Sequence, residues 1–176
     1  VFTGAMDYWP NVDAVNWFAR EVLPAVRRQV PQAWFYIVGS RPAPAVRQLA
    51  DLDGVEVTGT VADVRPYLAH AHVVVAPLRV ARGIQNKVLE AMAMARPLVA
   101  TPMAMAGIEN AAEVERADGG EDFARRVTAV LARPGGDPPA AAAALRACVL
   151  RDYDWDRNLQ DFTDLLEGRR ETRSVA

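Results

Sequence analysis

The chain has 176 residues, enough for one domain that buries a core without disulfides or a structural metal. About half of the residues are apolar and 24% are charged, the balance of a globular protein and not of a disordered or fibrous one. The formal net charge is -2 and the arginines are interspersed with Asp and Glu, so no basic field is available for nucleic acid. A single cysteine, Cys148, rules out a disulfide framework and points to a reducing compartment.

No apolar run approaches the roughly 20 residues that a bilayer-spanning helix needs. The expected location is the cytoplasm, at the inner face of the membrane if a segment outside this sequence anchors it. The opening Val1-Phe2-Thr3-Gly4 has no initiator Met and reads as a strand already under way, so the natural chain is expected to continue upstream.

Strand-like and helix-like patterns alternate along the chain, which predicts a doubly wound, Rossmann-like α/β domain with a mostly parallel sheet covered by helices on both faces. Phe2 to Gly4 is the first strand. Pro10-Asn11 opens an amphipathic helix with Val15, Phe18, Val22 and Val26 on its apolar face and Asn11 as N-cap. Trp34 to Gly39 is a buried strand, a short helix covers Val46 to Leu52, and Val55 to Thr58 is a third strand. A short helix near Val64 to Ala69 precedes the most hydrophobic strand, Val73 to Ala76, which Pro77 stops. His70 and His72 flank Ala71 at its entry, so both are expected on one strand face, and no metal cluster is apparent.

A loop with Arg79, Arg82 and Gly83 leads into a helix from about Gln85 to Ala95, and Pro97 to Pro102 is the next strand. Val114 to Ala117 reads as a short edge strand and Asp122 to Leu131 as a helix. Pro134 to Pro139 breaks the chain. Beyond it an alanine-rich helix runs to about Arg151. A last helix, Asp154 to Leu166, carries Trp155, Leu159, Phe162 and Leu165 on one face, before a charged tail. Trp9, Trp17 and Trp34 read as core or helix-packing residues, and Cys148 as buried and inert.

The segment from Arg79 to Thr101 is where chemistry is expected. A strand, a glycine-containing loop and a helix in succession point backbone N–H groups and a positive helix terminus at the carboxyl edge of the sheet, which favours phosphate. Gly83 also fits the plainer role of permitting the turn. Lys87 and Glu90, three apart, share one helix face, where the lysine can reach a diphosphate and the carboxylate can accept from sugar hydroxyls. At that spacing an intrahelical ion pair on a solvated face is the alternative.

Asn86-Lys87-Val88-Leu89-Glu90-Ala91-Met92-Ala93-Met94-Ala95-Arg96-Pro97-Leu98-Val99-Ala100-Thr101 resembles the "EAMA-x-G-x-P-V-V-A-T" signature of family 4 glycosyltransferases. Phe35 to Gly39 is similar to their "IVG" strand and Val57-Thr58-Gly59-Thr60-Val61 to their "F-x-G-x-V" turn. Tyr67 to Pro77 resembles "Y-x-x-A-D-V-x-V-x-P". With Phe2-Thr3-Gly4 and Trp155 the resemblance covers nearly the whole chain, in the family's order. A subgroup of sugar transferases associated with exopolysaccharide loci, with "A-R-G-I-Q-N-K-V-L-E-A-M-A", is the most similar.

The resemblance implies one half of a GT-B enzyme. Residues 1–168 would be the C-terminal, nucleotide-sugar-binding domain and 169–176 a tail, with the N-terminal acceptor-binding domain absent. It further implies retaining transfer to a polysaccharide or lipid-linked acceptor, no cofactor or metal, and leaving-group stabilisation by cations and helix dipoles. By motif, Glu90 binds the ribose, the backbone from Gly83 through Ile84 to Gln85 binds phosphate, and Thr60-Val61 meets the base. Gly4 and Gly39 close the first two strands at the same site, and no catalytic nucleophile is assigned.

Two departures qualify this. The family's first glutamate of a pair falls at Arg82, so its donor-sugar role does not carry over. The Gly-Arg pair after the first strand is replaced by Gly4-Ala5, leaving Arg79, Arg82 and Lys87 as the nearest replacement cations. A GT-B nucleotide-sugar epimerase and a non-catalytic nucleotide-binding scaffold are the rival readings. A dehydrogenase fits less, because no G-x-G-x-x-G follows the first strand.

Overall fold

The computed structural model describes residues 1–133 and 140–167, so the break at 134–139 and the tail at 169–176 lie outside the described residues. Among the described residues six short strands form: β1 (Phe2–Thr3), β2 (Phe35–Val38), β3 (Val55–Gly59), β4 (Val74–Ala76), β5 (Leu98–Ala100) and β6 (Glu115–Arg116). All pairings are parallel, β1 with β2 and β2 with β3 in one set, β4 with β5 and β5 with β6 in the other. The two sets meet at the first residue, where the Val1 nitrogen donates to the Val73 carbonyl (3.0 Å) and the Val75 amide to the Val1 carbonyl (2.9 Å). The strand order is therefore β3-β2-β1-β4-β5-β6, the doubly wound arrangement.

Every position of β4 and β5 is apolar and buried, as expected of strands covered on both faces. Pro97 enters β5 at no cost to the ladder, because only its carbonyl is used, as acceptor for the Val74 amide (2.8 Å). The turn that leads into β5 falls to Ala95, which adopts a left-handed φ of 50°.

The expected first helix is present as α1 (Trp9–Trp17), a π-helical turn at Phe18–Val22, and α2 (Leu23–Gln29). Pro24 accounts for the wider turn, since its ring cannot sit against the carbonyl four residues back. Val15, Phe18, Val22 and Val26 are all buried, and Phe18 packs on Phe35 (4.4 Å between ring centres) and Phe123 (5.8 Å). Asn11 is not the N-cap. Its own amide and that of Val12 bond to the Tyr8 carbonyl, so the helix starts earlier, with Pro10 in its first turn.

The segment expected at Val46 to Leu52 is α3 (Pro44–Arg47) followed by a 3-10 turn at Gln48–Asp51. Then come α4 (Arg65–His70), α5 (Asn86–Ala93), α6 (Gly120–Leu131), α7 (Ala140–Asp152) and α8 (Trp155–Leu166). Helices α1 and α2 pack with α3 and α6, and α5 packs with α7 and against β4 and β5. The histidines do not share a strand face: His70 ends α4, with Nδ1 2.8 Å from the Pro66 carbonyl, and His72 lies in the loop before β4.

Of the tryptophans, Trp17 is buried, whereas Trp9 and Trp34 are exposed, Trp34 because it precedes β2 and lies beside Tyr36 on the solvent side. Cys148 is buried, and burial raises its pKa. The apolar residues of α8 share one side as expected, but Trp155, Leu159, Phe162 and Leu165 all face solvent.

The ends of β1 and β2 approach so closely that a Cβ on Gly39 would lie 1.7 Å from the Gly4 carbonyl oxygen. Backbone opposes backbone there, and no side-chain rotation relieves it. Gly39→Ala is expected to lose about 3 kcal/mol or more of stability, read as a lower urea midpoint. A midpoint within error of the parent would contradict this packing.

Candidate functional site

Strand order reverses between β1 and β4, and the loops leaving their carboxyl ends part there. A cleft of about 570 Å³ runs along this edge. Its wall follows the sheet: Thr60, Val61 and Val64 beyond β3, Gly39 and Ser40 after β2, and Thr3, Gly4 and Ala5 at β1. Tyr8 and Asn11 of the α1 entry line it too, and the β4 side supplies Arg82, Ile84, Gln85, Asn86, Lys87 and Glu90.

A Cβ on Gly4 would stand 2.7 Å from Asn11 Nδ2 and 3.6 Å from Lys87 Cε, so two polar side chains converge where Gly4 has none. Asn11 is buried, and its Nδ2 donates to the Ala5 carbonyl (2.9 Å), which ties α1 to the loop after β1. Its Oδ1 is buried with no protein donor.

Helix α5 begins at Asn86 without a side-chain cap, because Gln85 turns its Nε2 back to the carbonyls of Arg82 (3.1 Å) and Gly83 (3.0 Å). The amides of Asn86 and Lys87 occupy the first turn, where no intrahelical acceptor exists, and this positive end borders the cleft. Lys87 extends beneath β1 with its Nζ 5.3 Å from the centre of the Phe2 ring, a cation–π contact. Burial pushes its pKa below the ordinary lysine value, and the Glu90 carboxylate pulls it only partly back.

Glu90, one turn further along α5, accepts a long hydrogen bond from the buried Thr3 hydroxyl (3.4 Å) and is otherwise exposed. Among the described residues Lys87 and Glu90 form no ion pair, so the solvated-pair alternative does not describe this helix face. The arrangement offers amide and ammonium donors suited to an anion, with a carboxylate beside them that can accept from hydroxyls.

Nine of the eleven expected site residues come together in the cleft: Gly4, Gly39, Thr60, Val61, Arg82, Ile84, Gln85, Lys87 and Glu90. Gly83 shapes the loop with a left-handed φ of 63°, but does not line the cleft. Arg79 is committed elsewhere: its guanidinium holds Asp13 of α1 through Nε (3.0 Å) and Nη2 and lies over Trp17. Thr3, Tyr8, Asn11, Ser40 and Asn86 also line the cleft, though the sequence assigned none of them to the site. Thr3 and Asn86 sat inside motifs; the others are ordinary polar residues until the strand ends bring them together.

A larger cavity of about 660 Å³ opens at the opposite edge of the sheet, beside Val1, Trp34 and Val73. Its lining contains no Lys, Arg, Asp or Glu and is mostly apolar, with His70 and His72 among its residues. Among the described residues no cluster of His, Cys, Asp and Glu could hold a metal, and no helix is long and apolar enough to cross a membrane.

The fold is that of a Rossmann-like α/β domain, with a cleft at the carboxyl edge of the sheet whose lining suits an anionic ligand. The chain belongs to the family "Glycosyl transferases group 1", whose model matches residues 1–149. Among solved structures it is similar to a glycosyltransferase from Rickettsia africae, at 14% identity and TM-score 0.71, over 94% of this chain and 47% of that one. Anabaena HepE, solved in complex with UDP, matches at 16% identity and TM-score 0.70, over 95% of this chain and 48% of that one. Sucrose-phosphate synthase from Thermosynechococcus elongatus matches at 18% identity and TM-score 0.69, over 96% and 44%. The chain thus spans about half the length of these proteins, and they share its fold. No curated protein matches the chain.

A buried cation without a carboxylate partner costs stability, so Lys87→Met is expected to raise the melting temperature of the ligand-free chain at neutral pH, by under ~1 kcal/mol in stability. The sign follows from the lowered folded-state pKa: the unfolded chain binds the proton more tightly, and stability climbs as pH rises from the folded value toward 10.5. That slope should vanish from the Met variant. A clear fall in melting temperature would mean that the Phe2 ring fully compensates the ammonium.

Proposed function

We propose that residues 1–168 are the donor-binding half of a two-domain GT-B glycosyltransferase, which takes a nucleotide-diphosphate sugar and works with an acceptor-binding domain outside this sequence. The observation that carries the reading is the uncapped α5 terminus beside a half-buried Lys87 that forms no ion pair among the described residues, at the point where strand order reverses. Membership of the glycosyltransferase family supports it, as does the presence of UDP in the similarly folded Anabaena protein.

In this reading the base lies along the main chain at Thr60-Val61 and the ribose hydroxyls donate to Glu90. The diphosphate meets the backbone of Ile84 and Gln85, the first amides of α5, and Lys87, with Gly83 shaping the loop that presents them. As the glycosidic C–O bond breaks, charge gathers on the departing diphosphate, and these fixed N–H groups and the ammonium stabilise it without a metal ion. Transfer retains anomeric configuration and delivers the sugar to a polysaccharide or lipid-linked acceptor of an exopolysaccharide pathway, at the cytoplasmic face of the membrane. The exposed apolar side of α8 is where the acceptor-binding half would rest.

Two outcomes are expected. Residues 1–176 bind one of UDP, GDP or ADP, measured by calorimetry, and transfer no sugar on their own; absence of binding to all three, or robust transfer, would sink the reading. Glu90→Ala folds normally and loses about ten- to hundredfold in affinity for that nucleotide, the effect of removing an acceptor worth roughly 1.5–3 kcal/mol. Unchanged affinity would remove Glu90 from the site.

A further inference from the structure

Three threonines at or beside strands use their hydroxyls differently. Thr101, just past β5, donates to the Leu78 carbonyl and accepts from the Ala104 amide, and Thr58 in β3 donates to the Gly59 carbonyl (2.9 Å), so both serve the local main chain. Thr3 in β1 is as buried as Thr101, but among the described residues its hydroxyl has no main-chain acceptor. It donates instead to Glu90 Oε2 of α5, 87 positions away in sequence. Valine would fill the same strand position without a buried hydroxyl to desolvate, so packing alone does not call for threonine here.

The partner of this hydroxyl is the carboxylate that lines the cleft. Glu90 is exposed and forms no ion pair among the described residues, so nothing but the Thr3 bond restrains its head group there. A glutamate on an open helix face must order several rotatable bonds before it meets a ligand, and that ordering weakens binding. The hydroxyl of Thr3 occupies Oε2 and leaves Oε1 open, which fixes the carboxylate in advance. We propose that Thr3 is a positioning residue: its hydroxyl holds the Glu90 carboxylate ready for the ribose hydroxyls, and the pair sets a preference for ribonucleotide over deoxyribonucleotide donors. This rests on the donor-binding reading and on the ribose role of Glu90 within it.

The test is calorimetry of this chain with UDP, GDP and ADP and with the 2′,3′-dideoxy analogue of each. The nucleotide that binds is expected to lose about tenfold or more in affinity when its ribose hydroxyls are removed. Thr3→Val should cut that ribose preference about fivefold while leaving affinity for the dideoxy analogue within about twofold, and Thr3→Ser should restore it. Thr3→Ala is expected to repeat the Val result, which separates loss of the hydroxyl from a packing fault of one side chain. In a Glu90→Ala chain the Thr3→Val change should have no further effect, as follows for a residue that acts through another. An undiminished ribose preference in Thr3→Val overturns the inference and leaves Glu90 and the nucleotide reading standing. Equal losses for the ribo and dideoxy ligands overturn it too, since they would make Thr3 a packing residue. A wild type that binds a nucleotide without regard to its ribose removes Glu90 from the site and this inference with it, whereas binding of none of the three sinks the donor-binding reading as well.

Discussion

The pairing of the first residue with β4 organises the molecule. Val1 exchanges backbone hydrogen bonds with Val73 and Val75, and through them two three-stranded parallel sheets become one. The chain winds outward from β1 in one direction and outward from β4 in the other, so the loops at these two carboxyl ends diverge. Backbone amides, a helix terminus and the few polar side chains that escape the core collect in that gap. A sheet wound in one direction would have covered the same edge with a crossover.

Within the gap, local preferences are broken in a consistent way. Gly4 and Gly39 bring two strand ends nearer than any side chain permits. Lys87 is kept charged against a Phe2 ring at the expense of its solvation, α5 starts without a cap, and Asn11 carries a buried oxygen with no protein donor. Each would be a flaw in a structural core, and together they line one polar cleft. The core beneath has no such exceptions along β4 and β5.

The two loop arginines show how little residue type says about role. Arg79 and Arg82 stand three apart after the same strand. Arg79 is used to pin α1 through Asp13 and Trp17, which fixes the helix that brings Tyr8 and Asn11 to the cleft. Arg82 contributes only its carbonyl to the fold, leaving the guanidinium available.

Much of this was legible from the chain alone. Apolar runs placed β4 and β5, the spacing of Val15, Phe18, Val22 and Val26 placed the first helical face, and the signature around Glu90 located the cleft, because these are short-range patterns with a fixed geometric period. Helix starts and exposure were not. Asn11 looked like a cap until Tyr8 took that position, and Trp34 looked buried until β2 began one residue later. Sequence also left open whether Lys87 would pair with Glu90 and whether Arg79 or Arg82 would enter the cleft. Those outcomes depend on which strand lies beside β1 and on how close Asp13, Phe2 and Thr3 come in space. Contacts of that kind join residues tens of positions apart, as Arg79 and Asp13 are, and no local pattern encodes them.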